Sequence, residues 1–365
     1  MTSEPKRILL VSNRVMHYRV SVYNYFHKRF AEQGWEWRVL TNQIQAENQI
    51  ESDFPLEKIP FHFKQYRQRI KELKPAAVVI FLHLKDRMLW PLIHWLKLVG
   101  IPVIFWTKTR NLDDPDNRMR NYCFNYVMNL SDGLVLYTDD LRKNVPAKSR
   151  HKAFPANNTI NFHQFPEVGE SKEEIKRSLN FPFDKVVLFV GRIGDEGNRK
   201  KVDHLVDIFR ELDREDLGLV IVGSGMPDVI RARMNPRNTR YLGEVQDPDN
   251  LQITRIFSMA DICSIPGHVG LGLNQAMYHG LPMITEEGIQ PPEICYLKDG
   301  RNGFIVGEND VIALKERISY LADNKDILVE FSQNARADIL KDASIEGMFK
   351  GFLDCVKYVT ECPNS

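Results

Sequence analysis

Along this chain, short apolar runs alternate with longer stretches whose apolar residues recur at helical spacing. Arg7-Ile-Leu-Leu-Val-Ser12 reads as a strand, and Tyr18 to Phe30 carries Tyr, Phe and Val on one helix face. Trp37-Arg-Val-Leu-Thr41 is the next strand and Lys64 to Lys74 a basic helix. Ala77-Val-Val-Ile-Phe-Leu82 and Val103-Ile-Phe-Trp106 are buried strands separated by a helix from Met88 to Val99, and Gly133-Leu-Val-Leu-Tyr137 follows. Unbroken Val/Ile/Leu runs mark strands covered on both faces, so the alternation predicts an α/β fold with a parallel, doubly wound sheet.

Between Lys148 and Pro182 the pattern breaks at Pro155, Asn157, Asn158, Asn161, Pro166, Gly169 and Pro182, which places a domain boundary there. A second alternation then begins: strand Val186–Val190, helix Val202–Leu212, strands Leu219–Val222 and Arg240–Leu242, helix Leu251–Met259, strand Ile262–Ser264, helix Leu271–Tyr278, strands Met283–Thr285 and Phe304–Val306, and helix Val311–Asp323. Ser344 to Val359 reads as a last amphipathic helix, with Ser344 as N-cap and Glu346 in the first turn. The expected organisation is residues 1–165, residues 166–343 and a closing helix over 344–365. Two Rossmann-like domains in tandem imply a ligand cleft facing both.

The chemistry concentrates in Pro266-Gly-His-Val-Gly-Leu-Gly-Leu-Asn-Gln-Ala-Met-Tyr-His-Gly-Leu-Pro282, a glycine-bearing loop running into a short helix. Glycines let a ligand approach the backbone, and the unbonded amides at a helix start favour an anion. Upstream, the strand Val186–Val190 ends in Gly191-Arg192, with Arg199, Lys200 and Lys201 soon after. Together these predict a diphosphate site. Composition narrows the partners. A net charge of +1 gives no electrostatic case for nucleic acid. The five cysteines (Cys123, Cys263, Cys295, Cys355, Cys362) form no C-x-x-C pair, which argues against zinc and redox motifs and fits a reducing cytoplasm. The N-terminus shows no signal-peptide h-region, and Trp90 to Trp106 is interrupted by His94, Lys97, Gly100 and Pro102, so it reads as helix then strand rather than a span. A cytoplasmic protein able to touch the inner face of the membrane is expected.

The ordered series Phe189-Val-Gly-Arg192, Lys200-Lys-Val-Asp-His-Leu205, Leu219-Val-Ile-Val-Gly-Ser-Gly225, Tyr241-Leu-Gly243, Ala260-Asp-Ile262, Pro266–Pro282 and Asp299-Gly-Arg-Asn-Gly-Phe304 resembles retaining GT-B glycosyltransferases, nearest to glycosyltransferase family 4 of the bacterial polysaccharide-assembly type. Pro155-Ala-Asn-Asn-Thr-Ile160 resembles the family's linker. The resemblance implies a GT-B fold, a UDP-sugar donor (UDP-glucose or similar, as substrate), no cofactor and no metal, a saccharide or lipid-linked acceptor, and a last helix that returns to the N-terminal domain. It assigns the donor diphosphate to Arg192 and Lys200, where the alternative is surface charge after a strand. The family's two glutamates around the glycine loop are replaced by Gly267 and Gln275. His268 or the amides of Val269, Gly270 and Leu271 are then left for donor contacts, and Gln275 for ribose hydroxyls.

Other positions carry two readings each. Gly191, Gly223 and Gly225 allow tight turns beside the donor, and Leu242-Gly243-Glu244 presents backbone to the base while Tyr241 reads as core. Glu293 accepts donor hydroxyls or is a solvated acid, as are Glu286 and Glu287 around it. His17 is a catalytic candidate with Arg192 and Lys200, binding the transferred sugar or orienting an acceptor hydroxyl, or else packs on Tyr18; His83 faces the acceptor or is an ordinary strand-end residue, and Lys108 and Arg110 meet phosphate or an anionic acceptor or are solvated loop charge. Asp113-Asp-Pro-Asp116 and Asp247-Pro-Asp249 imitate a metal motif, but their prolines point to turns. The basic run Lys64, Arg67, Arg69, Lys71, Lys74, with Lys85 and Arg87 later, attracts anionic lipid headgroups or a lipid-pyrophosphate acceptor or is a solvated helix face, and Trp35, Trp37, Trp90 and Trp95 form an interfacial edge, stack on sugars or are core. The expected activity is hexosyl transfer in polysaccharide synthesis. A nucleotide-sugar 2-epimerase and a non-catalytic sugar-nucleotide-binding subunit are the alternatives.

Overall fold

The computed structural model describes residues 5–44, 51–194, 199–245 and 247–361; Cys362 lies outside them. The chain divides into two compact units, Met1–Asn161 with Ser344–Ser365, and Phe162–Ala343. The first holds β1 (Lys6–Val15), α1 (His17–Ala31), β2 (Trp35–Ile44), β3 (Leu56–Lys58), α2 (Phe63–Leu73), β4 (Ala77–Phe81), α3 (Leu89–Leu98), β5 (Val103–Thr107), α4 (Arg118–Leu130), β6 (Gly133–Leu136) and β7 (Ala153–Pro155). Their sheet runs β3-β2-β1-β4-β5-β6-β7, with every pairing parallel.

The second unit holds α5 (Lys172–Ser178), β8 (Lys185–Val190), α6 (Val202–Glu211), β9 (Leu217–Val222), α7 (Asp228–Arg231), β10 (Thr239–Gly243), α8 (Leu251–Met259), β11 (Ile262–Ser264), α9 (Gly272–Tyr278), β12 (Met283–Glu286), β13 (Gly303–Val306), α10 (Val311–Asp323) and α11 (Lys325–Asp342). Its sheet runs β10-β9-β8-β11-β12-β13, again all parallel. In both sheets the order reverses direction beside the first strand, the arrangement that leaves strand ends free to build a site at their C-terminal edge.

The period-2 pleat of β1 explains the double layer of the first unit. Ile8 and Leu10 join Trp37, Val79, Ile104 and Val135 on one face, while Leu9 and Val11 join Val78, Ile80, Phe105 and Leu134 on the other. The first face is closed by α1 and by α12 (Ile345–Glu361), which therefore packs on the first unit although it follows the second in sequence. The packing is close: a Cβ on Gly133 would lie 2.6 Å from Cys355 Sγ, and one on Gly351 would lie 2.2 Å from the Pro155 carbonyl oxygen. Ser344 Oγ accepts from the Gly347 amide at 3.0 Å, as an N-cap does. Trp35, Trp37 and Trp95 are core and Trp90 is half-buried, so only Trp90 retains an edge toward solvent.

Several expectations need correction. Asn13 to Val15 is strand rather than loop, because Arg14 and Val15 continue the register onto Gln43 and Ile44. Phe162 to Phe165 go with the second unit: Phe162 stacks on Tyr278 with centroids 4.5 Å apart, and Phe165 packs on Tyr278 and His279. Helices α4, α5 and α11 were not anticipated. Only Val127 and Met128 of α4 are buried, so its apolar periodicity is weak. The start of α5 was signalled by the capping box Ser171–Glu174. Both aspartate motifs are turns: Asp247 and Asp249 accept amides of Ile253 and Leu251 at the start of α8, and Asp114 accepts from Asn117. Among the described residues, no helix is long and apolar enough to cross a membrane.

Candidate functional site

In the second unit, the ends of β8, β9 and β10 are joined by backbone. The Gly191 amide donates to Val222 O (3.0 Å), Ile193 to Ser224 O (2.9 Å), and Gly223 to Gly243 O (2.8 Å). A Cβ on Gly223 would lie 1.8 Å from the Gly191 carbonyl oxygen, so no other residue fits there. Tyr241, half-buried rather than core, donates its hydroxyl to the Gly223 carbonyl at 2.8 Å and so fixes the same turn. Leu242, next to it, is exposed at the strand end and offers an apolar wall there.

The loop after β11 is bound to the segment that precedes α6. Gly267 donates to Lys200 O (3.1 Å) and His268 to Arg199 O (2.8 Å). A Cβ on Gly267 would fall 2.0 Å from Arg199 O, so this backbone contact demands glycine there. Lys200 closes the arrangement. Its methylenes occupy the space a Cβ on Gly191 would need, 2.6 Å from Cδ and Cε, and its ammonium donates to the carbonyls of His268 (2.9 Å) and Val269 (3.4 Å). Lys200 and the glycine-bearing loop after β11 are thus brought together. Arg192 is exposed on the segment following Gly191.

The amides of the loop divide into two groups. Val269 donates to Gln290 Oε1 at 3.1 Å and its side chain is fully buried, so its amide is not presented to a ligand as the sequence suggested. Among the described residues, the amides of Gly270, Leu271 and Gly272 make no hydrogen bond, and Gly270 reaches this geometry through φ +59°. Gln275 is half-buried one turn into α9. Glu293 is buried on a short turn packed against α9, which removes its reading as a solvated acid.

Two residues that the sequence gave no role hold this geometry. Gln290 donates to Gly267 O (3.0 Å) and Glu286 O (2.9 Å) while accepting from Val269, pinning the loop from below. Glu286, fully buried, accepts from Lys201 Nζ (2.9 Å) and the Asn309 amide (2.9 Å) and pairs with His204 Nδ1 (2.6 Å). Lys201 sits at φ +50°, a conformation that non-glycine residues adopt at a cost, and Glu286 and the Asn309 side-chain oxygen, each 2.9 Å away, anchor its ammonium. The Cys263 thiol on β11 is pushed up to about 12 by burial, against the pull of Lys200, so it offers no thiolate. The Asp299–Phe304 motif is structural: Asn302 ties Tyr296 O and Asp338, and Asp299 accepts from Ile305.

In the first unit, the remaining sequence candidates stand at or beyond the C-terminal ends of β1, β4 and β5. His17 opens α1, exposed, with its ring edge-on to Tyr18 at 5.4 Å. His83 is exposed after β4; packing around its ring lowers its pKa below the usual imidazole value, Lys108 and Lys85 push the same way, and Asp86 opposes. Asp86 accepts from the His83 amide (2.7 Å) and from Asn13 Nδ2 (3.1 Å), joining the ends of β4 and β1. Lys108 lies over the Tyr137 ring at 5.3 Å, and Arg110 is exposed. Arg19 was missed. Though only 3% exposed, it stacks on Trp106 (4.8 Å) and donates to Asn158 Oδ1 (2.7 Å), and nothing in helix periodicity distinguishes it from a surface arginine.

Residues 184–324 match the family described as "Glycosyl transferases group 1". Spore coat protein SA of Bacillus subtilis (strain 168) is 29% identical over a 154-residue alignment that covers 38% of this chain and 40% of that protein. A glycosyltransferase from Rickettsia africae ESF-5 superposes with TM-score 0.77 at 14% identity, covering 99% of this chain and 100% of the other. Anabaena Alr3699/HepE, solved in complex with UDP-glucose, gives TM-score 0.74 at 12% identity over 96% of this chain and 99% of its own. The two parallel-sheet units are those of the GT-B fold. The domain match and this fold together support a GT-B glycosyltransferase.

Proposed function

We propose that this protein is a retaining, metal-independent hexosyltransferase of the family 4 type that moves a hexose, glucose first among them, from UDP to a glycan or lipid-linked saccharide. The observation that carries the reading is Lys200: its ammonium is held on the His268 and Val269 carbonyls, directly before the unbonded amides of Gly270, Leu271 and Gly272. A cation and three amides at one loop suit a diphosphate. The UDP-glucose complex of the Anabaena structure supports the choice of donor.

As the glycosidic bond lengthens, negative charge collects on the diphosphate. Lys200, Arg192 and the amides at Gly270 and Leu271 stabilise that charge, the role a divalent ion would otherwise fill. The acceptor hydroxyl attacks from the same face, and the departing phosphate takes its proton, so no side-chain nucleophile is required. Gly191, Gly223, Leu242 and Gly243 border the nucleoside, while His268, Gln275 and Glu293 serve sugar or ribose hydroxyls. His17 binds the transferred sugar or orients the acceptor hydroxyl, and His83, Lys108 and Arg110 belong to acceptor recognition at the cytoplasmic face of the membrane. Incubation with a panel of UDP-sugars and saccharide acceptors tests the reading: transfer that falls with Arg192→Ala, together with UDP affinity, is expected. Epimerised donor without acceptor, or UDP binding with neither transfer nor slow hydrolysis, would replace it with the 2-epimerase or non-catalytic alternative.

A further inference from the structure

The ladder between β1 and β4 ends at Ser12 opposite Phe81, while β1 runs on beside β2 to Val15 opposite Ile44. The chain then leaves β1 into α1 on one face of the sheet and leaves β4 toward α3 on the other. Strand ends that part to opposite faces open a crevice, and ligands of parallel α/β sheets seat there. The matching point of the second unit lies between β8 and β11, where Gly191 and the glycine-bearing loop held by Lys200 meet.

In the first unit, side chains bridge the gap. Asp86 sits in a turn locked on itself: its amide donates to His83 O (2.9 Å), and its Oδ2 accepts from the His83 amide (2.7 Å). Its own carbonyl accepts from the Leu89 amide (2.9 Å) at the start of α3. Oδ2 also accepts from Asn13 Nδ2 of β1 at 3.1 Å. The two carboxylate oxygens are thus used unequally. Oδ2 carries the turn and the bridge. Among the described residues, Oδ1 has one approach, from Asn13 Nδ2 at 3.4 Å, too long for a strong bond. Asn13 Oδ1 makes no hydrogen bond among the described residues, and both side chains belong to half-buried residues. Two donors stand beside these acceptors. His83, its pKa held below the usual imidazole value chiefly by packing around its ring, is neutral near about pH 7 and carries one N–H and one bare nitrogen. Lys108, over the Tyr137 ring, is close enough to push His83 the same way.

Bare acceptor oxygens next to donors, at a point where strands part, match neighbouring sugar hydroxyls, each of which both donates and accepts. They do not match a phosphate, which offers only acceptors and would face a fixed carboxylate. We infer that the β1–β4 crevice is a saccharide subsite in which Asp86 Oδ1 and Asn13 Oδ1 accept from neighbouring ring hydroxyls of the acceptor sugar, with His83 and Lys108 donating to them. The inference rests on the proposed transfer to a glycan and deepens it: the sugar end of the acceptor, and not a lipid phosphate, lies at this crevice.

Ligand-observed NMR titration of the full chain, with and without UDP, against the methyl glycosides of glucose, galactose, mannose and N-acetylglucosamine tests it, with inorganic pyrophosphate as the anionic arm. At least one glycoside is expected to bind, and Asp86→Asn to weaken it about tenfold. That variant keeps an oxygen for the His83 amide and turns Oδ1 into an NH2 group, so melting and UDP affinity should stay within about 2 °C and about twofold. Arg14→Ala, one residue along β1 and turned to Gln43, should change glycoside affinity less than about twofold. No glycoside bound by the unmodified chain, or an affinity that survives Asp86→Asn, overturns the inference. So does a joint fall of glycoside affinity, UDP affinity and melting in Asp86→Asn, which marks a merely structural bridge. Pyrophosphate that displaces the glycoside and binds more tightly in Asp86→Asn overturns it in favour of a phosphate-facing crevice. UDP titration of the unmodified chain separates the two proposals. Absent UDP binding, with glycoside binding lost in Asp86→Asn, sinks the donor reading and upholds this one.

Discussion

The two units share one topology but finish their sheets differently. At the C-terminal edge of the second unit, glycines bring backbone against backbone: Gly223 on Gly191, Gly267 on Arg199. What remains there for a ligand is a set of unbonded amides, the fixed ammonium of Lys200 and the exposed Arg192. At the same edge of the first unit, long side chains take over: His17, His83, Lys108 over Tyr137, and Arg19 over Trp106. A backbone surface recognises a group common to many ligands, such as a diphosphate. A side-chain surface recognises one ligand and changes with it.

The sharpest way to break this contrast is at the glycines. Gly267→Ala forces a methyl to 2.0 Å from Arg199 O, where only backbone can yield. We expect a loss of about 3 kcal/mol in stability and at least about hundredfold in UDP affinity, read by thermal melting and titration. Gly169→Ala, with no atom within 4 Å and no positive φ, should shift stability by less than about 0.5 kcal/mol. Equal effects at the two positions would mean that close backbone contact is not what shapes the loop.

A second test acts through acid. Burial, with Arg336 nearby, lowers the His279 pKa from 6.5 to about 4 in the second unit. The unfolded chain therefore takes up a proton first as pH falls. The contribution of neutral His279 is complete above pH 6.5 and is lost progressively toward pH 4, up to about 3 kcal/mol. Hydrogen exchange at pH 5 should show the second unit loosening ahead of the first, and His279→Gln should flatten that dependence. A uniform loosening of both units contradicts the assignment.

Next in size is Glu286→Ala, which strips Lys201, His204 and the Asn309 amide of their shared acceptor. Lys201 and His204 keep some solvent access, so about 2 kcal/mol is expected rather than the full cost of a stranded buried charge. UDP affinity should fall with it, and Glu286→Gln should restore part of both. The smallest effect is expected at His17→Ala. It should leave UDP affinity and melting unchanged within about twofold and 0.5 kcal/mol, while lowering transfer to acceptor. A drop in UDP affinity there would erase the division of labour between the units.

The two sheets were legible because parallel strands buried on both faces leave unbroken apolar runs, as Val186 to Val190 and Ala77 to Phe81 do. Helix α4 was not, because its apolar residues face solvent rather than a core. The Lys200 and Gly267 segments were legible as separate anion features. Their contact, and the reason Gly267 carries no side chain, came only from the folded backbone. Gln290 and Glu286 left no signal, since a glutamine or glutamate in a loop reads as solvated until its partners are known. Arg19 failed for the opposite reason: a charged residue in a first helical turn gives no warning that an aromatic ring will cover it.

The central claim is that Lys200 and the loop amides recognise a diphosphate. Titration of the full chain with UDP and with uridine, repeated on Lys200→Met, tests it most directly. The account predicts that UDP binds at least about hundredfold more tightly than uridine and that the substitution removes most of this difference while leaving uridine unchanged. Equal affinity for UDP and uridine, or a preference that survives in Lys200→Met, would contradict it.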